Sequence, residues 1–365
     1  MESSTARLSS PKSDLTRRGF IRKTAGWMLS SGALAIAKDS TVSSSSKPLV
    51  VACRDTLLKA AKPAGGGDSW SAMKELGVTG VEVEVSPELG CPNLESADGE
   101  QKKYSLATPA GIATLKDDLG KNGLVVTAFL MHNRLDERLA EELDWTKKLV
   151  DAAVSLEVPV IRIDVVPRRT RPEEFLPFAV KVCKQLCDIA EGTGVRYGIE
   201  NHGSITNDPE FLRQLFDGVP DQSGHLGLTL DTANFYWYGH PLNELYEIFE
   251  RFAPRVFHTH CKSIRYPDDK KNVRRPMGWE YDRYACPIFE GDIDFGKVVA
   301  ILRKANYCGD LCLENESLGK YPESQRAQIV KKEIALLRRL APRFRGDKLA
   351  PAEAGAGTAT PKETT

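Results

Sequence analysis

The chain has 365 residues, 41% of them hydrophobic, which is enough to bury a large core in one large domain or two small ones. Lys plus Arg and Asp plus Glu number 50 each, and this balance argues against a nucleic-acid partner. The 8 cysteines are too dilute for a disulfide scaffold, so Cys183, Cys187, Cys308 and Cys312 are predicted to be core thiols.

Residues 1–37 have the features of a cleavable export signal. The basic stretch DLTRRGFIRK precedes a mildly apolar segment that ends in Ala35-Ile36-Ala37. The adjacent pair Arg17-Arg18, followed by Gly-Phe-Ile, is similar to a twin-arginine signal. We therefore expect the twin-arginine export machinery as a partner and a periplasmic location, with an ordinary amphipathic leader as the alternative. No other run approaches the roughly 20 apolar residues of a stable membrane span.

Strand and helix signals alternate after a Ser-rich linker at residues 38–47. Short β-rich runs are PLVVAC, TGVEVEV, LVVTAFLM, VPVIRIDVV, VRYGIE, LGLTLD, RVFHTH and DLCLE. Helical stretches lie between these runs and after the last of them. The alternation predicts an α/β fold, a single-domain (β/α)8 TIM barrel at residues 48–345. A loop at residues 265–287 is inserted after the seventh strand, and residues 346–365 are predicted to be a disordered tail.

Four successive strands, the fifth to the eighth, end in acidic or imidazole side chains. These residues are Glu200, Asp231, His260 and Glu314. Because the carboxyl ends of all barrel strands meet at one face, the four side chains should converge there. Three carboxylates and one imidazole favour a single divalent ion, Mn²⁺, Mg²⁺ or Co²⁺, and also accept Zn²⁺. His258 lies one layer deeper in the seventh strand and is expected behind the ion.

These motifs resemble the sugar phosphate isomerase/epimerase superfamily, whose barrel is similar to that of xylose isomerase. The resemblance rests on IENHG, TLDTAN, HTHCK and EGDIDFGKVVAILRKANYCGDLCLE. In that family the metal is held by Glu, Asp, His and Glu at the ends of strands five to eight, which implies the same four residues here. The chain departs from the family where ketose epimerases carry D-x-x-H, because Asn234 occupies the last position. This departure argues against a simple ketohexose as substrate.

The same residues permit proton transfer next to a carbonyl group. A divalent ion that binds adjacent carbonyl and hydroxyl oxygens acidifies the intervening C–H bond and stabilises the enediolate. Glu200 and Glu314 are the predicted catalytic pair that removes and returns the proton, which would isomerise or epimerise a sugar or polyol. The predicted substrate contacts are His132, His202, Asn234, Lys262 and Trp279.

Three other functions remain open on the sequence. A lyase or dehydratase acting on a keto-sugar, keto-glycoside or inosose would use the same metal and base. A phosphodiesterase similar to endonuclease IV would share the barrel, but Asn234 stands where that enzyme has a histidine ligand, and the chain has no basic excess for DNA. A non-catalytic sugar-binding protein is the third alternative. The oligomeric state is also open, and a homo-oligomer is compatible with the sequence.

Overall fold

The computed structural model describes residues 48–62, 67–95, 103–220 and 224–342. The predicted export signal, the Ser-rich linker and the predicted tail lie outside these described residues. Within the described ranges, no helix combines the length and the apolar character that crossing a membrane requires.

Eight parallel strands form a closed barrel, which confirms the predicted (β/α)8 fold. In chain order they are β1 Val50–Arg54, β2 Gly80–Glu84, β3 Val125–Leu130, β4 Val160–Ile163, β5 Arg196–Glu200, β6 Leu226–Asp231, β7 Val256–Cys261 and β8 Asp310–Leu313. Each strand pairs in parallel with the next one along the chain, and β8 closes the barrel by pairing with β1. Each barrel strand corresponds to one of the predicted β-rich runs.

Helices lie between the strands and after the last of them. Their bounds are α1 Leu58–Ala61, α2 Ser69–Leu76, α3 Pro109–Asn122, α4 Leu139–Leu156, α5 Pro172–Ala190, α6 Pro209–Gly218, α7 Asn234–Tyr238, α8 Leu242–Phe252, α9 Tyr281–Tyr284, α10 Phe295–Lys304 and α11 Glu323–Leu340. At the start of α2, the Asp68 side chain accepts a 2.7 Å hydrogen bond from the Ser71 backbone N–H, and Gly77 ends the helix in the left-handed conformation. Proline occupies the first turn of α3, α5 and α6, where a helix does not use the N–H. The short helices α1, α7 and α9 were not predicted.

Strand alternation separates the barrel interior from the core that faces the helices. In β5, Tyr197 and Ile199 belong to the hydrophobic core, whereas Gly198 and Glu200 alternate with them on the opposite face. Position 198 requires glycine because a Cβ there would lie 2.3 Å from the Oγ1 atom of Thr229 on the neighbouring strand. The barrel interior can therefore carry polar side chains toward the carboxyl ends of the strands.

The inserted loop, residues 265–287, is tied to the segment that follows β6. At its base, Ser263–Ile264 pairs in antiparallel fashion with Ala285–Cys286. The buried Arg275 side chain donates a 3.0 Å hydrogen bond to the carbonyl of Tyr236 in α7. Its guanidinium carbon also lies 4.5 Å from the centroid of the Tyr236 ring. These contacts place the loop beside the carboxyl end of β6.

Cysteine burial follows the prediction except at one position. Cys183 and Cys312 are buried and Cys187 is partly buried, but Cys308 is exposed, so the prediction of a core thiol is wrong for Cys308. Cys308 lies in the turn between α10 and β8, where the chain leaves the helix layer before it enters the barrel.

Candidate active site

The structure brings together the four side chains that end β5, β6 and β7 and follow β8. One ligand atom from each of Glu200, Asp231, His260 and Glu314 lies within 4.8 Å of the others, and all four residues are buried. The Nδ1 atom of His260 lies 3.4 Å from Glu200 Oε1 and 3.3 Å from Glu314 Oε2. This arrangement is a compact ligand cluster at the carboxyl ends of the strands, where barrel enzymes place their chemistry.

The donor atoms of this cluster fit a divalent cation. Asp231 Oδ2, His260 Nδ1 and Glu314 Oε2 are buried and have no well-directed hydrogen bond among the described residues, although Lys262 Nζ forms ion pairs with both carboxylate oxygens. Buried polar atoms in folded proteins normally have a hydrogen-bond partner, so three such atoms side by side indicate a ligand that supplies one. Carboxylate oxygens with one imidazole suit Mg²⁺, Mn²⁺, Co²⁺ or Zn²⁺.

Lys262 contributes a positive charge to the edge of the cluster. Its Nζ atom lies 2.9 Å from Asp231 Oδ2, 3.3 Å from Glu314 Oε2 and 3.4 Å from Glu316 Oε2. Burial alone would lower the pKa of Lys262, but Asp231 and Glu314 outweigh burial and raise the pKa above its usual value. The ammonium group therefore stays charged and offsets part of the carboxylate charge.

A buried chain of hydrogen-bonding groups lies behind His260. The Nε2 atom of His260 is 2.9 Å from Glu82 Oε1, and the same oxygen is 3.0 Å from Nε2 of His258. Nδ1 of His258 lies 2.8 Å from Asp310 Oδ2. Since a carboxylate can only accept hydrogen bonds, Glu82 holds one proton of His260 on Nε2. Burial alone would lower the pKa of His260, but Glu82, Glu314 and Glu200 outweigh burial and raise it well above its usual value, so Nδ1 also carries a proton until a bound cation displaces it.

Guanidinium groups hold the two glutamates that were predicted to be catalytic. Arg162 Nε donates to Glu200 Oε2 at 2.5 Å, and Arg54 Nη1 donates to Glu314 Oε1 at 2.6 Å. Burial by itself raises the pKa of the Glu200 carboxyl, but Arg162 and His260 outweigh burial and lower it to about 2. The pKa of Glu314 is also held well below its usual range, since Lys262 and His260 outweigh burial. Both carboxylates are ionised at neutral pH.

A cavity of about 340 Å³, here called the inner cavity, opens above the cluster. Four of the five predicted substrate contacts are among its lining residues, namely His132, His202, Asn234 and Lys262. Of the described aromatic residues, Trp237 and Tyr281 line the inner cavity and Trp279 does not. The Trp279 ring instead stacks on Tyr284 with centroids 5.5 Å apart, so it supports the inserted loop from within.

The polar residues of the inner cavity are held by their own partners. Asp164 lies 3.3 Å from Nδ1 of His202 and 3.8 Å from Nδ1 of His132. The nearby carboxylates of Asp164 and Glu84 raise the pKa of His132 to about 9. The Asn234 side-chain amide donates to Glu200 Oε1 at 3.1 Å, so Asn234 also holds the position of Glu200.

Several residues of the site were not identified from the sequence, among them Glu82, Arg54 and Trp237. Glu82 alternates with valines in VEVEV, but a solvent-exposed glutamate in a half-buried strand produces the same pattern. Arg54 ends β1, and no residue close to it in sequence indicates that it contacts the site. Trp237 lies in a helix of five residues, which is too short to show a hydrophobic period. The aromatic run FYWY, which begins four residues after Asp231, was the one available signal for Trp237.

A family model described as "Xylose isomerase-like TIM barrel" matches residues 70–340. The chain belongs to this family. A curated relative from Methanocaldococcus jannaschii, "Uncharacterized protein MJ1311", is 24% identical over 193 residues, which cover 50% of this chain and 60% of that relative. The match therefore spans less than two thirds of the relative's length. The family match confirms the resemblance found in the sequence.

Several solved structures share the fold. The IolI protein with a bound zinc atom has a TM-score of 0.57 and 17% identity, covering 82% of this chain and 100% of that one. A xylose isomerase-like TIM barrel protein from Mycobacterium smegmatis, in complex with magnesium, has a TM-score of 0.57 and 14% identity over 81% of this chain and 98% of that one. The 3-keto-D-glucoside 4-epimerase YcjR from E. coli has a TM-score of 0.52 and 16% identity over 80% and 99% of the two chains. At these identities the likeness establishes the fold.

Proposed function

We propose that this protein is a divalent-metal-dependent isomerase or epimerase of a sugar or polyol. The observation that carries the proposal is the buried cluster of Glu200, Asp231, His260 and Glu314, of which Glu200 and Glu314 line the inner cavity. These four residues would hold one ion, and the ligand set favours Mn²⁺, Mg²⁺ or Co²⁺, with Zn²⁺ also compatible. The zinc and magnesium in two proteins of the same fold support a divalent ion. When bound, such an ion supplies Lewis acidity that weakens a C–H bond next to a carbonyl.

Glu200 and Glu314 would move the proton. Arg162 and Arg54 each hold one carboxylate oxygen of these residues, while Glu200 Oε1 and Glu314 Oε2 face Nδ1 of His260. Both groups are ionised and can accept a proton, but their cationic neighbours hold both pKa values far below neutrality, so these neighbours must shift toward the substrate or the ion before either carboxylate is an efficient base. One carboxylate removes the proton from the substrate carbon. The second, which is ionised in the resting site, first takes up a proton from solvent and then delivers it to the opposite face of that carbon or to a neighbouring atom. The first outcome is epimerisation and the second is isomerisation.

The walls of the inner cavity suit a polyhydroxylated substrate. His132 and His202 present ring nitrogens that Asp164 orients, and such groups donate hydrogen bonds to hydroxyl or carbonyl oxygens. Trp237 and Tyr281 add aromatic surface on the side of the inserted loop. A few oriented polar groups combined with aromatic walls are typical of small-molecule sites.

Deuterium exchange tests the proposal directly. Metal-loaded protein, incubated with ketoses and keto-glycosides in D₂O, should introduce deuterium at one substrate carbon, as detected by NMR, without changing the composition. Glu200→Gln and Glu314→Gln should each lower the exchange rate by about 10²–10⁴-fold because the amide cannot act as the base. The exposed Glu290→Gln variant is the control and should exchange at the wild-type rate.

Metal content of each variant must be measured in the same samples, so that loss of the ion is separated from loss of the base. If both metal-loaded glutamine variants exchange at the wild-type rate, neither glutamate is the base. Release of water or an alcohol from the substrate would show elimination instead of isomerisation. Sugar binding without exchange in the wild-type protein would show a non-catalytic binding protein.

We also propose that residues 1–37 direct export to the periplasm through the twin-arginine machinery. These residues lie outside the described part of the chain, and the proposal is supported by the Arg17-Arg18 pair and the Ala35-Ile36-Ala37 ending. Export of a folded protein by this route is compatible with metal loading before translocation.

A further inference from the structure

A second cavity adjoins the inner cavity on the side of the inserted loop. It has a volume of about 560 Å³ and is here called the outer cavity. Its lining residues are Trp237, Gly278, Glu280, Tyr281, Asp282 and Arg283. Trp237 and Tyr281 line both cavities, so the same two aromatic side chains face the proposed reaction site and the outer cavity. The two spaces are therefore neighbouring compartments that share one aromatic wall.

The shared aromatic wall is built by specific contacts. The Gly278 backbone N–H donates a 2.8 Å hydrogen bond to the Trp237 carbonyl. Gly278 has a φ of +72°, and a Cβ there would lie 3.4 Å from the Nε1 atom of the indole, so the loop backbone runs along the ring edge. The Tyr281 hydroxyl donates a 2.5 Å hydrogen bond to Glu316, which also lines the inner cavity. Trp237 is thus held by the inserted loop, and the Tyr281 ring is held by Glu316 at the mouth of the barrel.

The rest of the loop is fastened to the barrel in a way that keeps the outer cavity in place. Arg275 donates 3.0 Å hydrogen bonds to the carbonyls of Tyr236 and His240, on either side of Gly239. Gly239 has a φ of +113°, and a Cβ there would lie 2.0 Å from the Arg275 carbonyl oxygen. The loop backbone therefore packs directly on the turn after α7, the helix that carries Trp237.

The volumes and the chemistry of the two cavities point to a substrate with two parts. Ligand cavities in proteins measure about 300–1,000 Å³, so the inner cavity is at the lower end, which suits a single sugar ring. The outer cavity combines aromatic surface with the exposed carboxylates of Glu280 and Asp282 and the guanidinium of Arg283, which donates a 3.1 Å hydrogen bond to Glu280 Oε2. Aromatic faces pack against the C–H face of a sugar ring, while carboxylates accept hydrogen bonds from its hydroxyls and a guanidinium donates to its oxygens.

We propose that the outer cavity is a subsite for a second sugar ring, so that the substrate is a disaccharide or another glycoside. The ring that carries the reacting carbon would occupy the inner cavity, and the second ring would lie against Trp237 and Tyr281. This inference rests on the proposed isomerase or epimerase function, because it assigns the reacting ring to the inner cavity.

A panel of keto-sugars tests the subsite. The D₂O exchange assay is run with D-fructose and with the keto-disaccharides turanose, maltulose, isomaltulose and lactulose, and kcat/KM is measured for each. At least one disaccharide should exceed D-fructose by about tenfold or more. The double variant Glu280→Gln with Asp282→Asn should lower that ratio by about tenfold, because each charged hydrogen-bond acceptor becomes neutral. The matched double variant Asp268→Asn with Asp269→Asn changes the same loop away from the lining residues and should keep the wild-type ratio.

An unchanged ratio in the Glu280→Gln, Asp282→Asn protein would overturn the subsite, as would equal or better use of D-fructose relative to every disaccharide. If the wild-type protein exchanges none of these sugars, the proposed reaction fails for this panel, and saturation-transfer NMR then measures disaccharide binding alone. In that case, weaker binding of a disaccharide by the double variant supports the subsite. Unchanged binding, or no binding to the wild-type protein, overturns it.

Discussion

Replacing Glu82 by Gln should weaken metal binding although Glu82 is outside the proposed ligand set. Glu82 lies 2.9 Å from Nε2 of His260 through Oε1 and 3.0 Å through Oε2, and only 1% of it is exposed. The carboxylate accepts the Nε2 proton, so that the ion can take the place of the proton on Nδ1. A Gln side chain keeps the shape, but it removes the negative charge and turns an N–H group toward His260 or His258.

The structure sets a range for the loss of metal affinity expected in Glu82→Gln. Carboxylates behind a metal-ligating histidine typically contribute about 10–100-fold in metal affinity. That range corresponds to about 1.4–2.8 kcal/mol at about 1.4 kcal/mol per tenfold change. Glu82 contacts both His260 and His258 and is shielded from water, so no solvent molecule replaces the lost charge. We therefore expect a value near the upper end, about 100-fold.

Isothermal titration of chelator-stripped protein with Mn²⁺ measures the effect. The matched control is Glu84→Gln, two residues further along β2. Glu84 approaches His132 and Arg54 at 3.8 Å and contacts none of the four proposed ligands. The control should bind Mn²⁺ within about twofold of the wild-type protein, and circular dichroism should show that both variants are folded. Wild-type affinity in Glu82→Gln, or an equal loss in Glu84→Gln, would refute the reasoning.

Two further predictions concern pH and export. Burial, opposed by Lys262, raises the pKa of Asp231 to about 7, so this ligand gains a proton as the pH falls through 7. The proton on Asp231 should lower Mn²⁺ affinity, measured by calorimetry, by about tenfold per unit below pH 7, in addition to the slope from the proton that the ion displaces on His260. Equal slopes above and below pH 7 would contradict this. Replacing Arg17 and Arg18 by Lys should retain the protein in the cytoplasm, because the pathway recognises the guanidinium pair and not charge alone. Cell fractionation measures the distribution, and normal export of the double variant would reject the signal.

Local sequence was sufficient to predict the barrel. Each barrel strand has its own run of β-branched and apolar residues, each long helix has its own amphipathic period, and these signals depend on neighbours only a few positions away. The same local logic located Glu200, Asp231, His260 and Glu314, since residues that end parallel strands must meet at one face of a closed barrel. The alternation of side chains along the strand also predicted that His258 lies one layer behind His260, and in the structure His258 contacts Glu82 behind His260.

The partners of those residues depended on how the barrel closes. Glu82 and His260 are 178 positions apart, and Arg54 and Glu314 are 260 positions apart, so no local pattern links them. Arg54 reaches Glu314 because β1 pairs with β8 in a register that sets Ala52 beside Cys312.

The contacts of the inserted loop with the cavity wall were also not predictable from local sequence. The loop's composition indicated aromatic contacts but not which ring faces the inner cavity. Arg275 fastens the loop to α7, and in that arrangement Trp279 stacks inside the loop while Trp237 and Tyr281 face the cavity. Alternation along a strand is a property of the local backbone, whereas contacts across the barrel and beneath the loop exist only once distant segments have packed.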